Sequence, residues 1–391
     1  MMFNYYMPVD IHFGFGTISK VGEIARRFGF KGLIVTGRSS KKHGYLDKVI
    51  SNLILNNIPD VIIYDEIEPN PTDVSVNKGA RIAAENKVDF IIGLGGGSIL
   101  DAAKAIAIVS SNEGFAWEYV FYPEGPKSIP YYTRPVIAIP TTAGTGSEVN
   151  KYSVISNPNR KEKLAIAHSL NYPKVAIVDP ELTMSMDKDL TATTGMDAFY
   201  HALESYTNRL NNRLAEDLAA LALRLILKWL EIAYEDGSNK EARENMSYAA
   251  MLAGIAIDQK RAGLIHAMEH PISGRYPQVA HAKGLSALGY YVTLYNIKRA
   301  PEKYRKLAQE IGLKDEYHLL EKLKTLTQRL NLPLSLKDLG IAKDQDLPSI
   351  LTEDVYFTGR NAFNINPAEI TEKEVELIYK ASLLGDESLV P

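Results

Sequence analysis

The chain contains no cysteine. Disulfides, thiolate nucleophiles, iron–sulfur clusters and every zinc site that needs sulfur are thereby excluded. It also lacks an excess of one charge: 44 basic against 47 acidic residues leave −3, with no long run of either sign. Neither a nucleic acid nor a strongly acidic or basic partner is implied. Long apolar runs are missing too. The most apolar stretch, 218–230, is broken by Arg224 and Lys228 and falls short of the roughly 20 charge-poor residues of a membrane span. The first residues lack the basic-then-apolar pattern of a signal peptide, so no membrane association and a cytoplasmic location are expected. Internal repeats and low-complexity tracts are absent, and glycine (27) and proline (19) are at ordinary levels, which excludes a disordered or fibrous chain.

A chain of 391 residues has room for two or three domains. From residue 30 to about 180, short apolar runs alternate with helical patterns. Gly32–Thr36, Val61–Tyr64, Phe90–Leu94 and Val136–Ile139 read as strands; their near-continuous apolar character fits a parallel sheet covered on both faces. Segments 74–86 and 98–109 between them read as helices. The alternation predicts a doubly wound α/β domain. Beyond Asp179-Pro180 the spacing becomes helical throughout, over 197–206, 214–234, 241–258, 281–297, 302–311 and 372–384, and Thr371 with Glu374 supplies a capping box for the last. The expected domains are therefore 1–188, α/β, and 189–391, all helical.

The strand at 90–94 runs into Gly95-Gly96-Gly97-Ser98 and then a helical segment. Glycines let backbone amides approach a ligand, and a helix N-terminus presents unpaired N–H groups with about half a positive charge, a combination suited to pyrophosphate. GLGGGS departs from the Rossmann dinucleotide fingerprint, with Ser98 at its last glycine position and a third rather than a first strand before it. The next strand opens into Pro140–Glu148, PTTAGTGSE, which offers hydroxyls and amides at the same edge of the sheet. Each loop alone reads equally as a turn; together they point to a nucleotide.

Four of the eight histidines, His201, His266, His270 and His281, fall between 201 and 281. Asp197 and His201 are four apart, as are His266 and His270, so each pair shares a helical face. One carboxylate and three imidazoles suit Fe(II) or Zn(II) and would leave the site with a net positive charge. The competing reading makes Thr194 and Asp197 helix caps and His201 an interior histidine. HAMEH at 266–270 also matches the H-x-x-E-H pattern of inverted zinc proteases, but a hydrolase leaves both loops without a purpose.

Taken together, EPNPT at 68–72, GGGSILDAAKAIA at 95–107, PTTAGTGSEV at 140–149, VDPELT at 178–183, GMDAFYHALESY at 195–206, MLAGIAI at 251–257 and HAMEHPISG at 266–274 resemble the iron-containing (group III) alcohol dehydrogenase family over residues 5–385. The resemblance implies an N-terminal Rossmann-like dinucleotide-binding domain with a parallel sheet and an all-α C-terminal domain, the dehydroquinate synthase-like fold. It implies Asp197, His201, His266 and His281 as ligands of Fe2+, with Zn2+ possible, and His270 as a proton-relaying histidine. It implies Gly96, Gly97 and Ser98 at the pyrophosphate, Thr141, Thr142 and Thr145 on the cofactor, Lys163 near its ribose, and Asn70 and Asp101 in the same neighbourhood. The last two ligands stand fifteen residues apart where family members usually have fourteen, so one extra residue is expected in 273–280. The implied reaction is reversible hydride transfer between a small primary alcohol, or its aldehyde, and a nicotinamide; butanol-type reductases are the nearest in look, and an NAD- and zinc-using polyol dehydrogenase of the glycerol type is the alternative. At the end of the first strand, Gly37 stands where NAD-specific relatives often carry an aspartate, and Arg38, Ser39 and Ser40 can receive a 2′-phosphate. NADP(H) is the expected cofactor, and a homodimer or higher homo-oligomer the expected assembly.

Overall fold

The computed structural model describes residues 2–121, 125–130, 132–341 and 345–391. The chain divides into two compact units. One comprises Tyr6–Met186 together with Gly237–Ser247; the other comprises the residues up to Tyr5, Asp187–Asp236 and Tyr248–Pro391.

The first unit is built on a six-stranded sheet of β1 (Asp10–Phe13), β2 (Lys31–Thr36), β3 (Asp60–Tyr64), β4 (Phe90–Gly95), β5 (Val136–Pro140) and β8 (Val175–Val178), in the order β1-β8-β5-β4-β2-β3. Every pairing is parallel. A separate antiparallel hairpin joins β6 (Tyr152–Asn157) to β7 (Glu162–Ala167). All four strands expected from the sequence are present, each within a residue of its expected bounds. Their continuous apolar character has a direct cause: successive side chains enter two different cores. Leu33, Val35 and Ile91 pack with Val76, Ala80 and Ala83 of the Asp73–Glu85 helix and with Ala102, Ala103 and Ile106 of the Gly97–Val109 helix. Ile34, Ile92, Ile137 and Ile139 face the opposite side, with Leu46, Val49 and Leu53 of the Tyr45–Leu55 helix. Each such fully buried aliphatic side chain contributes about 1.5–3 kcal/mol.

The strand order reverses between β2 and β4. From β2 the chain moves outward to β3, then returns to the other side of β2 and proceeds to β5. In open α/β sheets a ligand crevice forms outside the strand C-termini at this switch point. It lies here at Gly37 after β2 and at Gly96–Ser98 after β4.

The second unit is helical. Lys188–Thr207 packs on Arg213–Glu235, and His281–Arg299 packs on Leu264–Arg275, Glu372–Leu384 and Lys188–Thr207. Thr371 and Glu374 form the expected capping box. The first helix departs from expectation: it starts at Lys188, capped by Asp187, whose carboxylate accepts from the Leu190 N–H. Asp197 therefore lies more than two turns inside and cannot be a cap. Among the described residues, no helix is long and apolar enough to cross a membrane.

Candidate metal centre and nucleotide loops

Two loops of the α/β unit form one structure. Gly96 caps the Gly97–Val109 helix in an extended conformation and makes no side-chain cap hydrogen bond, so the first amides of the helix suit an anion. The Thr141 N–H donates to the Gly95 carbonyl at 3.0 Å. A Cβ built on Gly97 would lie 2.3 Å from Thr145 Cγ2; only glycine permits that approach. From the same helix, the buried Lys104 donates to the Ser147 carbonyl at 2.9 Å and to the Asn150 carbonyl at 3.3 Å, and Asp101 accepts from the Ser147 hydroxyl and, at 2.9 Å, from the Val154 N–H. Asp101 thus fixes the second loop, and both its oxygens are engaged with protein.

The remaining predicted cofactor residues are drawn to the same strand ends. The hydroxyls of Thr36 and Ser40 donate to the Leu94 carbonyl at 2.9 and 3.2 Å. Ser40 is buried there, so it frames the loop, while Arg38 and Ser39 are exposed beside Gly37. Asn70, in the left-handed region at φ 56, donates its N–H to Ser98 Oγ at 3.3 Å. Lys163 is buried on β7 opposite Ser156, and the Ser156 N–H donates to the Pro71 carbonyl at 2.8 Å, tying the hairpin to the Asn70 segment. Burial pushes the Glu148 carboxyl up to about 7, against the weaker pull of Lys104.

In the helical unit, Asp197, His201 and His266 come together: one ligand-type atom of each lies within 4.8 Å of the others. Asp197 Oδ1 is 3.7 Å from His201 Nε2 and 3.6 Å from His266 Nε2. The two rings stack at 4.5 Å between centroids, 9° from parallel. All three residues are buried, yet among the described residues Asp197 Oδ1, His201 Nδ1 and His266 Nε2 have no hydrogen-bond partner. An unpaired buried polar atom costs about 1–3 kcal/mol, so two unpaired atoms facing each other at 3.6 Å fit a place made for a cation. His281 stands one ring further out, 5.6 Å from His266 and 5.7 Å from His270, and forms a second close group with Glu269 and His270. Burial alone would raise the Asp197 carboxyl, but His201, His266 and His281 outweigh it and hold it well below the usual range. Burial lowers His201 to about 4 despite Asp197. Burial would also lower His266, but Glu204 and Asp197 prevail and raise it to about 9.

Sequence reading missed two glutamates. Glu204 Oε2 lies 2.5 Å from His266 Nδ1; Glu269 is fully buried, bonded to His281 Nδ1 and accepting from the Ser273 hydroxyl. The available signal was position, since Glu204 follows His201, and Glu269 follows His266, by one helical turn. Three carboxylates rather than one stand against the imidazoles, so the expected net positive charge no longer follows from the residues at the site. It also removes the protease reading, because Glu269 is enclosed and engaged rather than poised to activate water.

Comparison with known proteins agrees with this architecture. The profile of the iron-containing alcohol dehydrogenase family matches residues 8–180, and that of the Fe-containing alcohol dehydrogenase family C-terminal domain matches 191–383. The chain is 36% identical to a 1,3-propanediol dehydrogenase of Citrobacter freundii, covering 97% of this chain and 98% of that one. It is 32% identical to an NADPH-dependent butanol dehydrogenase of Clostridium saccharobutylicum, with 99% of each covered; names among the relatives carry both NADPH and NAD. The solved structure of an archaeal halo-thermophilic alcohol dehydrogenase from a Red Sea brine pool superposes with TM-score 0.93 at 35% identity, covering 98% of this chain and 99% of that one. The chain belongs to the iron-containing alcohol dehydrogenase family and is an oxidoreductase of that class.

Proposed function

We propose that the protein interconverts small primary alcohols or diols and their aldehydes with NADP(H), using a divalent ion, Fe2+ or alternatively Zn2+, held by Asp197, His201, His266 and His281. The observation that carries this reading is the convergence of buried, unpartnered Asp197 and His266 atoms beside His201. An ion bound there would favour ionisation of an alcohol hydroxyl and polarise a carbonyl. The amides of Gly96, Gly97 and Ser98 would hold the pyrophosphate, with Thr141, Thr142 and Thr145 lining the cofactor and Asn70 and Lys163 at its ribose. Gly37 leaves room for a 2′-phosphate that Arg38 and Ser39 would bind. A bound nicotinamide would supply hydride transfer to or from the alcohol carbon, and His270 would move the hydroxyl proton. The diol in the name of the Citrobacter relative supports a short primary alcohol as substrate. A cytoplasmic homo-oligomer is part of the same reading.

The test is purification without added metal, elemental analysis for iron and zinc, and nicotinamide absorbance with butanal or 1,3-propanediol. Expected are stoichiometric metal, turnover of both substrates and a larger kcat/KM for NADPH than for NADH. His266→Ala should lose metal and turnover together; a full metal complement in an inactive His266→Ala protein refutes the ligand assignment, and stronger use of NADH refutes the cofactor preference.

A further inference from the structure

Two segments of the helical unit repeat one pattern, His201-Ala202-Leu203-Glu204 and His266-Ala267-Met268-Glu269. In each, the glutamate follows a histidine by one turn on the same helical face, yet it serves a different histidine, carried by a later helix. Glu204, on the Lys188–Thr207 helix, lies 2.5 Å from His266 Nδ1 and accepts the N–H groups of Gly263 at 3.0 Å and Ile265 at 2.5 Å. Glu269, on the Leu264–Arg275 helix, is bonded to Nδ1 of His281, the first residue of the His281–Arg299 helix. A third His-Ala begins at His281, and there Gly284 occupies the glutamate position.

Space is reserved for both carboxylates. A Cβ on Gly263 would stand 2.9 Å from Glu204 Oε1, and one on Gly284 would stand 2.8 Å from Glu269 Oε1 and 2.9 Å from its Cγ. Neither side chain could move aside cheaply, since Glu204 and Glu269 are 5% and 0% exposed and a buried carboxylate that gives up its donors is strongly unfavourable. An imidazole that donates from Nδ1 to a carboxylate is fixed as one tautomer, with the Nε2 lone pair directed away from that partner. For His266 that atom faces Asp197.

We propose that Glu204 and Glu269 are linked positioning residues for the cation. Each sets the tautomer and ring orientation of a histidine on a later helix, so residues that do not ligate govern how tightly the ion is held. The proposal rests on the metal reading of Asp197, His201, His266 and His281.

The decisive measurement is zinc affinity of the full-length protein, by chelator competition, for Glu204→Gln, Glu269→Gln, Gly284→Ala and His266→Ala, with circular dichroism and metal-free melting as fold controls. Gly284→Ala removes no polar group and acts only by displacing Glu269. Zinc affinity should fall roughly 10–100-fold in the two Gln variants and in Gly284→Ala, with the circular dichroism of the parent retained and, for Gly284→Ala, a lowered metal-free melting temperature from the displaced carboxylate. Histidine 15N spectra of the zinc-loaded parent should show His266 and His281 protonated at Nδ1. Affinities within twofold of the parent for Glu269→Gln and Gly284→Ala, while His266→Ala loses zinc, overturn the positioning role and leave the metal reading intact. Zinc retained by His266→Ala removes both. Should a Glu204 variant fail to fold, protonation of His266 and His281 at Nε2 in the parent spectrum overturns the proposal by itself.

Discussion

Gly97→Ala tests the nucleotide loop with one methyl group. Gly97 is the first residue of its helix, where alanine in place of glycine would ordinarily stabilise the helix by up to about 1 kcal/mol. Here the added Cβ would fall 2.3 Å from Thr145 Cγ2 and 2.9 Å from its Oγ1. Carbon atoms rest about 3.5–4.0 Å apart, so the Thr145 segment must retreat by about 1 Å or more. Thr145 Oγ1 accepts from the Ser147 N–H, and Ser147 is bonded in turn to Asp101 and Lys104, so the retreat strains a connected set of bonds. Overpacking of this kind costs about 1–3 kcal/mol, and the free energy lost from the nucleotide-bound state corresponds to a roughly 5–150-fold weaker dissociation constant. Titration of NADPH fluorescence reads the affinity, and metal content serves as a control because the ligands belong to the other unit. An NADPH affinity within twofold of the parent, together with a raised melting temperature, would refute the close-approach argument and leave the triplet as an ordinary turn.

Two further outcomes follow from the site. His270→Ala should keep its metal and lose rate, with an altered pH profile, and a metal-free variant would show His270 to be a ligand instead. Glu148 has a folded pKa of about 7, raised above the unfolded value near 4.3; the folded protein therefore binds the proton more tightly, and stability falls as pH rises through that window. Glu148→Gln should raise the melting temperature more at pH 8 than at pH 5, and an equal change at both values would contradict the burial argument.

The legible parts of the fold were those with a strong local pattern. β2 to β5 could be read because burial on both faces makes their apolar runs continuous. β1, with the sequence DIHF and an exposed Asp10, carries no such run, whereas β8, the wholly buried VAIV, carries the same signal in the chain. In the hairpin, β6 alternates buried and partly exposed positions, while β7 breaks the alternation at Lys163 and Leu164. The Lys188–Thr207 helix is buried from Gly195 to Thr207, so no polar face marks its course, and its real start at Asp187 was hidden behind a polar TATTG stretch that imitates a cap. In the metal centre, Asp197 and the histidines were betrayed by spacing and by the scarcity of histidine. Glu204 and Glu269 were not, because a glutamate in a helix ordinarily reads as solvated, and only the fold shows that these two are enclosed. The loops announced the nucleotide site, whereas the internal engagement of Ser40 and Asp101 could emerge only from three-dimensional neighbours.

The side chains of Asp101 and Lys104 sit on the very helix that the glycine turn begins, and they grip the threonine-rich loop from below. Anyone transplanting this cradle into another scaffold would therefore have to excise it from about Phe90 to Val154 as one cassette; either loop moved by itself would arrive without its fastenings.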